Sequence, residues 1–137
     1  MTSGYSKTPL TKKLGLKVNF RVYLHQHPKH YLQLLGDLPE GVEIIQTADP
    51  LSLDFCHAFF TSEADLMNTI AYLKNGIKHN GILWISWPKG ASKLKTDINR
   101  DMVRTIVLNA GLVDTKVCAV DNDWSGLKFV YRTKDRK

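Results

Sequence analysis

The run Phe55-Cys56-His57-Ala58-Phe59-Phe60 constrains this chain more than any other feature. It shows none of the alternation of a strand with one wet face, so it suits a strand covered on both faces. The next seventeen residues supply one cover. Ser62 and Asp65 stand at capping-box spacing, and Leu66, Ile70, Leu73 and Ile77 then recur with helical period. A buried strand feeding an amphipathic helix is half of a parallel crossover unit.

The other segments repeat that unit. Thr8 reads as an N-cap with Pro9 at the first helical position, and Gly15 closes a short helix that turns Leu10 and Leu14 inward. A first strand is predicted over 18–24. Pro28 opens a second short helix through Leu35, Gly36 ends it, and Leu38-Pro39-Glu40-Gly41 turns the chain into a strand over 42–46. The third strand is 55–60. Behind the long helix, Asn80-Gly81 reads as the end of a loop before a fourth strand over 82–87. Thr96 or Asp97 caps the next helix, which points Ile98, Met102, Val103, Ile106, Val107 and Ala110 inward until Gly111 stops it. Strands over 115–120 and 127–132 finish the chain, joined by a tight loop at Asp121-Asn122-Asp123-Trp124-Ser125-Gly126.

This order predicts an α/β fold: a three-layer, open, doubly wound Rossmann-like sheet of about six strands. Right-handed crossovers put the first strand in the middle and give the order 2-1-3-4-6-5, with the sixth strand antiparallel. Such a sheet resembles the methyltransferase variant of the Rossmann fold, shortened by one strand and one helix. The chain has 137 residues, enough for one core and too few for two, so 1–137 is expected to be a single domain with a short N-terminal helical segment and a basic C-terminal tail. With 43% hydrophobic and 23% charged residues, disordered, collagen-like and membrane classes are disfavoured. The N-terminus lacks the apolar stretch of a secretory signal, so a reducing, cytoplasmic location is expected, with no membrane partner. Cys56 and Cys118 fall in apolar runs and read as core thiols; a Cys56–His57 catalytic pair is disfavoured because strand neighbours face opposite ways.

A net charge of +6 raises the question of nucleic acid. The charges sit at Lys7, Lys12, Lys13 and Lys17 and at Arg132, Lys134, Arg136 and Lys137, where they read as solvated ends. No zinc spacing, recognition helix or aromatic-interleaved strand accompanies them. Nucleic acid is therefore not the expected partner, and weak binding through the basic termini stays as an alternative.

Ligands of open α/β sheets bind at the carboxyl ends of the strands, where strand order reverses. Nucleotide and S-adenosylmethionine sites there need glycines after the first strand, because the ligand approaches the backbone closely. This chain instead has His25-Gln26-His27-Pro28-Lys29, and no cofactor is predicted. Asp49 falls roughly where a ribose-binding acid belongs, a weak signal by itself. His25, His27 and His30 have a spacing that suits a metal but lack an identifiable carboxylate ligand, so none is predicted. Lys29, Lys89 or Lys93 at a helix N-terminus offers at most an anion site. Ser125-Gly126 follows no strand-to-helix elbow, and no catalytic residue is assigned. The candidate ligand-binding set is Trp87, Lys89, Ser92, Asp121, Trp124 and Ser125. The competing account has both indoles covering the open end of the core while Asp121 and Ser125 shape a turn.

Several of these segments carry a family resemblance. Gly4-Tyr5-Ser6, Thr8-Pro9-Leu10, Lys12-Lys13-Leu14-Gly15, Leu38-Pro39 and Gly41-Val42 belong to it, and so do Trp87-Pro88-Lys89, Ser92, Thr96-Asp97 and Val103-Arg104. It is densest again in Gly111-Leu112-Val113-Asp114, Lys116-Val117-Cys118-Ala119-Val120-Asp121 and Trp124-Ser125-Gly126-Leu127. On these residues the chain resembles an uncharacterised bacterial family of small proteins, domain of unknown function 3052. It departs from that pattern at Lys7, where glycine is more usual. The resemblance implies no activity, but it marks the segments around Trp87 and Trp124. The expectation is a degenerate methyltransferase-like domain, non-catalytic, that holds a small ligand or a protein partner at this edge. A divergent S-adenosylmethionine-dependent transferase is the rival.

Overall fold

The computed structural model describes residues 9–136. The element order is α1 (Leu10–Leu14), β1 (Arg21–His25), α2 (Tyr31–Leu35), β2 (Glu43–Ile45), β3 (Leu53–Phe59), α3 (Glu63–Gly76), β4 (Ile77–Pro88), α4 (Arg100–Asn109), β5 (Leu112–Ala119) and β6 (Trp124–Tyr131). The strands form one sheet in the order β2-β1-β3-β4-β6-β5. β1 through β4 pair in parallel, and β6 runs antiparallel to both β4 and β5. This is the predicted order.

Two apolar layers flank the sheet. On one face Leu66, Ile70 and Leu73 of α3 and Val103 and Val107 of α4 pack on Cys56, Ala58, Leu83, Ile85 and Trp87. On the other, Leu14 of α1 and Tyr31 and Leu35 of α2 pack on Phe55, Phe59, Trp84 and Trp124. β3 lies between them, which is why both parities of its sequence are apolar. The indole of Trp84 donates to the carbonyl of Leu14 at 2.8 Å, satisfying an open C-terminal group of α1 and tying that helix to the sheet. Trp84→Phe should therefore cost about 1–3 kcal/mol in urea unfolding, since it orphans a buried carbonyl; a loss below about 0.5 kcal/mol would show that Leu14 finds another donor.

Several boundaries differ from the sequence reading, each for a local reason. Thr8 lies outside the described residues, and Pro9 itself occupies the N-cap position of α1. α2 becomes helical only at Tyr31, with Pro28 supplying the carbonyl of the turn before it. Asn80-Gly81 ends no loop: β4 begins at Ile77, and Gly81 sits where a Cβ would come within 3.0 Å of the Leu53 and Lys78 carbonyls. The pairing shifts register here, between Leu53 and Phe55, so the glycine marks an irregularity in the ladder. α4 is capped by Asn99, whose side chain accepts from Met102 N, not by Thr96 or Asp97. β5 starts directly after Gly111 at φ 107°, and β6 takes in Trp124 and Ser125, which the sequence pattern assigns to the hairpin loop.

The connection from β2 to β3 contains no helix. Ala48 packs on Gly76, where an added Cβ would come within 2.7 Å of its own, and Leu51 N and Ser52 N donate to Asn75 and Gly76 carbonyls. Residues 48–52 thus lie against the C-terminal end of α3. That end precedes β4, so Asp49 is carried to the amino edge of the sheet.

Candidate functional site at the carboxyl edge

Strand order reverses between β1 and β3, so their carboxyl ends frame the crevice where a ligand of this fold would sit. The chain's own side chains cross it. Gln26 takes φ 56°, a left-handed conformation that favours glycine and is rare for a long side chain. Its amide donates to Asp65 Oδ2 in the first turn of α3 at 3.0 Å and to His25 Nε2 at 2.9 Å. Since His25 accepts at Nε2, its Nδ1–H faces the Tyr23 hydroxyl, at 3.0 Å. Burial holds the His25 pKa below the usual histidine value against the opposing pull of Asp65, which keeps the ring neutral and this arrangement intact. The ring packs on Phe60, with centroids 5.5 Å apart.

A second set of ties joins the loop after β4 to the β5–β6 hairpin. Asp121 Oδ1 accepts from the amides of Asp123 and Trp124, both at 2.8 Å, and its Oδ2 meets His30 Nε2 at 2.7 Å. Asp123 then reaches across: its carboxylate accepts from the Ser92 hydroxyl at 2.9 Å, and its carbonyl accepts from Lys89 N at 2.8 Å. On the other side Thr96 Oγ1 donates to the Thr61 carbonyl at 2.8 Å, and Asp97 Oδ1 accepts from Glu63 N at 2.7 Å. Asp97 therefore caps α3 from a distance, beside the local cap from Ser62. The long segment between β4 and α4 is fastened at both ends.

The structure brings Lys89, Ser92, Asp121, Trp124 and Ser125 to one edge through Asp123, and separates Trp87 from them. β4 and β6 pair Trp87 with Ser125 and Pro88 with Trp124, so the two indoles project to opposite faces. Trp87 is buried under α3 and α4, whereas Trp124 meets Phe59 edge-on at 5.1 Å in the other layer. Rings on opposite faces of the sheet cannot together wall one cleft. The three histidines of the β1 loop also diverge: His25 is bound as above, His27 Nδ1 lies 3.0 Å from the Pro28 carbonyl, and His30 is on Asp121. Among the described residues no three His, Cys, Asp or Glu side chains are arranged to hold a metal. A recess lined by Leu51, Lys78, His79, Asn80 and Arg136 opens at the opposite, amino edge.

Beneath the carboxyl edge lies a polar chain that sequence reasoning missed. His57 is fully buried, with the Tyr31 hydroxyl 2.7 Å from Nδ1 and the Ser86 hydroxyl 2.7 Å from Nε2. Burial, with His27 adding to it, pushes the His57 pKa down to about 3, so the imidazole is neutral and donates through one nitrogen while accepting at the other. The signal was present: His57 and Ser86 are the polar residues inside two apolar runs. Gly126 opposite Ser86 leaves the room, since a Cβ there would sit 3.0 Å from the Ser86 hydroxyl. Cys56, one residue along, faces the α3 layer, and burial pushes its thiol up and leaves it protonated.

Comparison with known proteins places this geometry. No protein-family model and no curated protein matches the chain. Solved structures do. A SAM-dependent methyltransferase from Aquifex aeolicus aligns at 17% identity with a TM-score of 0.57, covering 88% of this chain and 86% of its own. For a putative type 11 methyltransferase from Sulfolobus solfataricus the values are 15%, 0.58, 93% and 92%. A Burkholderia thailandensis N-methyltransferase, solved with bound S-adenosylhomocysteine, gives 12%, 0.53, 88% and 73%. At these identities the likeness speaks for the fold. The residues framing the crevice here do not fit S-adenosylmethionine: Gln26 and His25 stand where close backbone approach is needed, and Asp49 is at the far edge of the sheet. The chain has a methyltransferase-type Rossmann-like sheet of six strands, flanked by helices on both faces.

Proposed function

We propose that this is a binding domain on a methyltransferase fold that has given up methyl transfer, and that it holds a partner at the carboxyl edge. The observation that carries the reading is the Gln26 strap from β1 to Asp65, because it spends the switch-point crevice on an internal hydrogen bond. What remains outward is a fastened surface bearing Lys89, Ser92, Leu94, Asp121 and Ser125, with Leu94 exposed. A surface braced by its own bonds suits a protein partner better than an enclosed small ligand. Membership in the family of unknown function that the sequence resembles is part of the same reading, since Lys89, Ser92, Asp121 and Ser125 all fall in the segments that carry that resemblance.

Isothermal titration with S-adenosylmethionine and with S-adenosylhomocysteine tests the reading. No heat is expected at about millimolar ligand, a level at which even a weak site of about −4 kcal/mol is half filled. A saturable isotherm that disappears in Gln26→Trp, where a bulky ring would fill the crevice, would establish the rival reading of a divergent S-adenosylmethionine-dependent transferase, which the fold of the structural neighbours favours.

A further inference from the structure

The face of the β5–β6 hairpin turned toward α1 carries charge that the fold does not need. Lys116 and Lys128 stand directly opposite each other across the antiparallel ladder. Like charges in that position are destabilising. Two more lysines join them. Lys17, in the turn after α1, acts with Lys116 on Lys128, whose ammonium is pushed below its usual value first by burial and then by these two neighbours. Lys116 Nζ reaches the Lys13 carbonyl at 3.3 Å, and the charges of both lysines oppose the burial that raises the Cys118 thiol. Among the described residues no carboxylate pairs with the group. The ion pairs there are Arg21–Glu43, His30–Asp121, Lys78–Asp54 and Arg104–Asp114, all elsewhere. Residues 1–8 contain neither Asp nor Glu.

We propose that Lys13, Lys17, Lys116 and Lys128 form a contact surface for the phosphodiester backbone of a nucleic acid. This goes beyond the edge-binding reading and stands without it. A row of phosphates offers regularly spaced negative charge to ammonium groups held by helix and sheet, and it relieves the repulsion that the folded protein otherwise carries. The exposed apolar side chains nearest in sequence to these lysines are Val18 and Val117, not the Trp, Phe or Leu of an interfacial membrane anchor. Among the described residues no exposed aromatic ring flanks the cluster to stack on bases, so the contact is with backbone and independent of sequence.

The test is fluorescence anisotropy with a labelled DNA duplex of about 20 base pairs, read between about 50 and 200 mM salt. Binding should weaken steeply with salt, with a log–log slope of about −0.9 for each phosphate neutralised. Lys128→Glu should bind about tenfold more weakly and flatten the slope by about 1. Because it places a carboxylate opposite Lys116, it should also raise the thermal midpoint by about 1–4 °C. Better folding with worse binding is a combination that a merely structural lysine does not produce. Lys128→Gln, expected to bind about threefold more weakly, serves if the charge reversal disturbs the fold. The proposal is overturned if the wild type leaves the duplex free, if Lys128→Glu and Lys128→Gln both bind as the wild type does, or if neutralising Arg132, Lys134 and Arg136 removes the binding instead. Vesicles rich in phosphatidylserine binding where the duplex does not would overturn it too.

Discussion

Replacing His57 by leucine should cost the domain about 2–6 kcal/mol, a large part of the roughly 5–15 kcal/mol that holds a domain together. The size comes from what is left behind. Tyr31 and Ser86 each direct a hydroxyl at the ring from 2.7 Å, in a fully buried place, and leucine satisfies neither. Each orphaned hydroxyl costs about 1–3 kcal/mol. Adding Tyr31→Phe and Ser86→Ala to His57→Leu should return most of the loss, because removing all partners together leaves no unmet group. A triple variant no more stable than the single one would mean that the three side chains do not form one chain of hydrogen bonds.

The same residue sets an acid limit. His57 has a folded pKa of about 3 against an ordinary value of 6.5, so below pH 6.5 the unfolded chain binds a proton that the folded one refuses. Its contribution is complete above pH 6.5 and is lost as pH falls toward 3. Between pH 7 and 4.5 the advantage of wild type over His57→Leu should shrink by about 2–3 kcal/mol in urea midpoints converted to free energy. Carboxylates titrate in both proteins and cancel in the difference. A gap independent of pH would show that the ring is reached by water.

Why some of this was legible in the chain and some was not depends on the range of each interaction. The central place of β3 was readable because an apolar run with both parities buried has few other uses, and Ser62 with Asp65 fixed the start of α3 through a contact between near neighbours. Strand order came from crossover handedness, a rule that needs only the sequence of elements. The site was harder. Whether Trp87 and Trp124 share a face depends on the β4–β6 register, and a shift of one residue would reverse the answer. Asp123 holding Ser92, Asp97 capping α3 and Gln26 reaching Asp65 each join residues more than thirty positions apart. None leaves a periodic trace. The positive φ of Gln26 was unreadable for the opposite reason, since the residue there is one that seldom adopts it. Asp49 has the sequence distance of a ribose ligand, but the chain after β2 crosses to the C-terminal end of α3 before reaching it, a path that spacing alone does not show.

Trp124→Ala should destabilise the domain by about 3–5 kcal/mol without any ligand present. Only 9% of the residue is exposed, its ring meets Phe59 edge-on, and its amide and carbonyl close the hairpin on Asp121 and Val120. The main-chain bonds survive the substitution, so the loss comes from the vacated indole volume against Phe59 and its neighbours. Trp124→Phe, which keeps an aromatic ring for that contact, should recover more than half of it. Equilibrium unfolding of the two variants separates the roles of this side chain. If the alanine variant is within about 1 kcal/mol of wild type, the indole is not closing the core, and a tryptophan kept at the carboxyl edge without a packing task would have to be facing a bound molecule. If the loss is large and phenylalanine restores it, the aromatic marker of this edge is the end of the α1–α2 core layer, and binding falls to the polar side chains fastened around it, Ser92 and Asp121 among them.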